Sequence, residues 1–86
     1  MSTAADQNRV GLLWLEYREK VIPREASRTQ LLECRRAFYA GAHALLTELQ
    51  IMLDPGGEPT EDDVRKVSLI EAELKRFNDD VQRGRA

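Results

Sequence analysis

Apolar residues recur along this chain at steps of three and four, the spacing that gathers side chains on one face of a helix. In the first such run, Val10, Leu13, Trp14, Tyr17 and Val21 form a core stripe. Leu12 and Leu15 lie off it, where they either widen the buried arc or mark a second contact surface. Thr3 and Asp6 have the spacing of a capping box, in which two side chains satisfy the free donors at a helix start, so a first helix is expected from about Ala4 to Val21. Pro23 ends it near Val21 or Ile22, because the residue before a proline avoids helical geometry.

Ser27 and Gln30 repeat the capping-box spacing, and a second helix from about Arg28 to Leu53 follows. It has roughly 26 residues and a length of ~39 Å at the usual helical rise. The segment from Asp54 to Pro59, with two prolines and paired glycines, reads as a loop. A third capping-box match, Thr60 with Asp63, opens a third helix, and Glu61, Asp62 and Asp63 place negative charge at the positive end of its dipole. That helix carries Val67, Ile70, Leu74, Phe77 and Val81 as a narrow seam of coiled-coil type. Gly84 is its expected stop, with Arg76 and Arg83 near the negative end of the dipole. The fold expected is all-α: one domain, 1–86, a three-helix bundle with a long central helix and an antiparallel hairpin of the second and third helices.

The central helix departs from a simple bundle. A broad arc holds Leu31, Leu32, Cys34, Phe38, Tyr39, Ala42, Leu45, Leu46, Leu49 and Leu53, and the opposite flank carries only the small residues Ala37, Ala40, Gly41 and Ala44. Arg36, His43, Thr47 and Gln50 make a thin polar ribbon between them. A helix apolar or small over most of its circumference needs more neighbours than two partner helices supply. Gly41, which costs about 1 kcal/mol relative to alanine inside a helix, forms with Ala37 and Ala44 a smooth strip. Either another part of the chain, such as the flat ring of Trp14, or a second subunit can lie on it. A chain this short buries a modest fraction of its surface, which favours a homo-oligomer.

The chain has 86 residues, 33% of them charged and 42% hydrophobic, with a net charge of −2. This is a globular composition without the cationic field that holds a protein on nucleic acid or an anionic membrane. The single cysteine, Cys34, excludes an internal disulfide and a zinc site built on cysteine pairs. The first residues lack a secretory pattern, and no run approaches the ~20 apolar residues of a membrane span, so the expected location is the cytoplasm. Charge is uneven: residues 24–47 hold four arginines against Glu25 and Glu33, whereas 48–63 hold six acids and no base. Complementary ends of this kind suit head-to-tail association or docking on a charged partner.

Arg35 projects from the apolar arc. Its stem either lies on the core while the guanidinium reaches outward or pairs with Glu16 or Glu19, or it joins Arg36, Tyr39 and His43 in a pocket for a phosphate or carboxylate. His43 has no histidine or cysteine partner nearby, and the acidic cluster Glu58, Glu61, Asp62 and Asp63 lacks the spaced ligand series of a calcium loop, so no metal or cofactor is expected. Without a glycine-rich phosphate loop, paired helical histidines or a nucleophile signature, an enzyme is not expected. The second helix is too long and apolar to serve as a recognition helix in a DNA groove.

The run from Cys34 to Leu46, whose most specific piece is R-R-x-F-Y-A-G-A over Arg35–Ala42, resembles short uncharacterised helical proteins of bacterial phages and prophages. The Asp54-Pro55-Gly56 turn and the segment from Glu73 to Phe77 share the likeness, which spans the last two thirds of the chain. It implies a phage accessory protein in the host cytoplasm. Two functions fit. One is an oligomeric interaction or inhibitor module directed at a host or defence factor, with Leu12, Trp14, Leu15, Ala37, Gly41 and Ala44 as contact surfaces. The other is a sponge in which Arg35, Arg36, Tyr39 and His43 hold a phosphate-bearing molecule such as a signalling nucleotide.

Overall fold

A computed structural model describes residues 4–53, Gly56 and 58–86. The described chain is all-helical: α1 (Ala4–Gln7), α2 (Arg9–Val21), α3 (Arg28–Met52) and α4 (Glu61–Gln82). The first expected helix is thus divided. Asn8, with φ −131° and ψ 37°, separates a single turn from α2, and the Arg9 guanidinium reaches back across the break to the Asp6 carboxylate at 3.1 Å. Thr3, expected to cap this segment, lies outside the described residues.

The other boundaries follow from local chemistry. Ile22, held before Pro23, adopts extended backbone at ψ 128° and ends α2. The Ser27 hydroxyl accepts from the Gln30 amide at 3.0 Å and starts α3, which stops one residue short of Leu53. At α4 the capping box is complete: the Asp63 amide donates to Thr60 Oγ1 at 3.0 Å, and the Thr60 amide donates to Asp63 Oδ2 at 3.2 Å.

The end of α4 is equally well satisfied. Gly84 takes φ 73°, its amide donates to the Val81 carbonyl at 3.1 Å, and the Arg85 amide donates to the Asp80 carbonyl at 2.7 Å. These are the two bonds of a Schellman motif, for which glycine is favoured because the left-handed conformation costs it no Cβ clash. The Arg85 side chain adds a bond to Asp80 Oδ1 at 2.9 Å, so Arg85 holds the end of the helix, where Arg76 and Arg83 were expected to contribute.

The chain divides into two compact units, residues 1–46 and 47–86, with the boundary inside α3. In the first, Trp14 is packed against Tyr17 and Phe38, with ring centres 6.2 and 5.6 Å away, and is only 5% exposed. In the second, Lys66 Nζ donates to the Met52 carbonyl at 2.7 Å, satisfying one acceptor at the end of α3, and pairs with Asp62 at 3.0 Å. Asp63 is buried there at 7% exposure.

Trp14 is the one buried hydrophobic side chain among the described residues. The remainder of the first stripe (Val10, Leu13, Tyr17 and Val21) is exposed, as are Val67, Leu74, Phe77 and Val81 of the α4 seam, with Ile70 half-buried. No described helix is long and apolar enough to cross a membrane.

Candidate functional site

Arg35, Arg36, Tyr39 and His43 fall within about 100° of arc on α3 at its 3.6 residues per turn. The structure joins two of them. The Arg35 guanidinium carbon stands 5.0 Å from the Tyr39 ring centre, a cation–π arrangement that the i, i+4 spacing allows. Arg36 and His43 are exposed on the same arc and make no hydrogen bond or ion pair with Arg35 or Tyr39.

Of the alternatives for Arg35, pairing with Glu16 or Glu19 is not what the structure shows, since the guanidinium stands over Tyr39. Lys20 takes Glu16 at 2.7 Å, and this hydrogen bond and charge hold the Glu16 carboxyl below its ordinary value. Among the described residues Arg35 has no acidic partner. Its guanidinium edge therefore keeps its donors for solvent or an anion, while one face lies on the phenol ring.

Tyr39 is fixed by its surroundings. Its ring lies edge-on to Phe38, with centres 6.4 Å apart, and its hydroxyl approaches α2 where Gly11 has no side chain. A Cβ placed on Gly11 would stand 3.3 Å from that oxygen. Gly11 was not singled out from the sequence, and it stands in the first turn of α2, three residues after Asn8.

The expected contact residues separate into two sets. Trp14 is 5% exposed, its ring packed against Tyr17 and Phe38 of its own unit. It does not lie on the small strip of α3, because nothing stands within 4 Å of a Cβ built on Gly41. Leu12, Leu15, Ala37, Gly41 and Ala44 are all exposed.

Leu15 also lines a groove of about 310 Å³ with Ile22, Pro23 and Leu31, rimmed by Arg18, Arg24 and Glu19. In the second unit, Leu53, Pro59, Val64 and Val67 line a groove of about 410 Å³. Among the described residues no three metal-ligating side chains gather. Cys34 is half-buried and free.

No protein-family model matches the chain, and no curated protein or solved structure matches it.

Proposed function

We propose that this chain works by binding rather than catalysis, as an assembly of identical copies whose joined surface engages a protein partner. One observation carries the reading: Trp14 alone among the described hydrophobic residues is buried, while Leu13, Leu15, Leu46, Ile51, Leu74 and Phe77 are each more than half exposed. A large aliphatic side chain gains about 1.5–3 kcal/mol when it leaves water, so a surface this apolar drives association. Within the assembly α3 and α4 form the antiparallel hairpin of a helical bundle, and copies supply the neighbours that α3 lacks. The phage likeness directs the partner toward a host or defence factor in the bacterial cytoplasm.

Size-exclusion chromatography with light scattering tests this proposal. A mass that is a multiple of one chain supports it, and a strict monomer at every concentration removes it.

A second reading has its own support in the Arg35–Tyr39 stack. An arginine held on an aromatic ring without a carboxylate is suited to a planar or phosphate-bearing anion, and Arg36 and His43 lie on the same arc. In this reading the assembly sequesters a small phosphate-bearing ligand such as a signalling nucleotide. Cyclic mono- and dinucleotides then raise the melting temperature of the wild type and fail to do so for Arg35→Ala, since ligand bound to the folded state stabilises it. No shift with any of these ligands removes the second reading and leaves the first standing.

A further inference from the structure

The two compact units carry opposite charge. Residues 1–46 hold seven basic and five acidic side chains, a net +2, and residues 47–86 hold six basic and ten acidic, a net −4. Ion pairs lie within the units and leave these net charges unchanged, and among the described residues Arg76 and Arg83 of the second unit make none. Arg65, Lys66, Lys75 and Arg85 of the second unit each pair with an acid of that unit. Among the described residues Arg18, Arg24, Arg28, Arg35 and Arg36 of the first unit have none.

Arg18 and Arg24, with Glu19 as the one acid, line the 310 Å³ groove beside Leu15, Ile22 and Leu31, so that it carries a net positive charge. The start of α4 has the opposite character. Val64 is 59% exposed, Glu61 stands one turn before it on the same face, and Glu58 precedes the cap. Among the described residues neither glutamate makes an ion pair.

We propose that copies of this chain associate head to tail, the arginine-rimmed groove of one copy receiving the acidic start of α4, from Glu58 to Val64, of the next. Val64 enters the apolar floor, and the two carboxylates meet Arg18 and Arg24 in charge-assisted hydrogen bonds. This rests on the self-association reading and specifies its contact. Like surfaces repel: groove against groove opposes arginines, and acidic start against acidic start opposes carboxylates. The contact is therefore between unlike surfaces, which closes into a ring or extends. A second copy is the occupant because the two surfaces carry opposite charge, so that each copy offers its neighbours both halves of the contact.

The test uses charge reversal on the full chain, with helicity checked by circular dichroism, comparing the Arg18→Glu, Arg24→Glu variant with the Glu58→Arg, Glu61→Arg variant. Each alone is expected to associate ~10-fold or more weakly than the wild type, and an equimolar mixture is expected to restore the wild-type mass by light scattering. The wild-type assembly should also weaken as salt rises from about 50 mM to about 1 M. A wild type that assembles while both variants assemble equally well, or folded variants whose mixture stays dissociated, overturns the head-to-tail contact alone. A wild type that is monomeric throughout overturns the self-association reading beneath it.

Discussion

The Tyr39 hydroxyl lies where a side chain on Gly11 would begin, 3.3 Å from the position of its Cβ. This is a close approach between α2 and α3, and it sets the height at which the phenol ring stands beneath Arg35. Alanine is favoured over glycine by up to about 1 kcal/mol in a helix, less in the first turn where Gly11 stands, and here the methyl also pushes on the hydroxyl of a ring already held by Phe38. Gly11→Ala is therefore expected to give little or none of that gain in the wild type and most of it in a Tyr39→Phe background, where the oxygen is gone. A double-mutant cycle by urea unfolding reads the coupling. Additive substitutions would mean that the contact constrains nothing.

Thr60 accepts from the Asp63 amide, and Asp63 returns the bond. Thr60→Ala removes one side of this box and leaves an amide beside a buried carboxylate without its acceptor. The expected loss is about 1 kcal/mol of stability, seen as a lower urea midpoint, and Thr60→Ser is expected to recover most of it. An unchanged midpoint for the alanine variant would place the start of α4 outside the cooperative structure.

Asp62 bridges Lys66 and Arg65, and its bonds to them hold its carboxyl below the ordinary carboxylate value. A carboxyl group depressed in the folded state contributes stability above its unfolded pKa and loses that contribution as pH falls through the folded value. Asp62→Asn is therefore expected to melt below the wild type at neutral pH, with the difference shrinking once acid protonates the wild-type carboxylate. Melting curves from about pH 7 down to about pH 2.5 test this, and a difference that grows in acid would reverse the sign.

Gly41 sits in α3 with open space where a Cβ would project. In a lone chain Gly41→Ala adds about 1 kcal/mol of helix propensity. In an assembly whose neighbour lies on the Ala37, Gly41 and Ala44 strip, the added methyl holds that neighbour away. The expected outcome is greater helicity at high dilution together with weaker association by light scattering. Greater stability with unchanged mass would mark the strip as plain solvent surface.

Thr60 with Asp63, Ser27, Pro23 and Gly84 were legible because a helix end is decided by groups within a few residues of each other. Their spacing along the chain is their spacing in space. The division at Asn8 was less legible, since the apolar stripe continues through it. Arg35 was recognised as out of place on an apolar arc. Its stacking on Tyr39 is a local i, i+4 contact that the spacing allows without choosing it over a carboxylate. Trp14 belonged by spacing to a stripe whose other members are exposed, because which residue of a stripe is enclosed depends on the packing partner. Tyr17 and Phe38 take that place for Trp14 alone. Arg24 counted only as a charge and Arg18 not at all, although both line one groove beside Pro23.

If other copies of the chain cover the exposed apolar faces of α3 and α4, folding and association are coupled. Thermal unfolding followed by circular dichroism over about a hundredfold range of protein concentration tests this most directly, since binding between folded copies stabilises them by mass action. The expected midpoint rises with concentration by several degrees. A sharp transition at the same temperature throughout that range would contradict it.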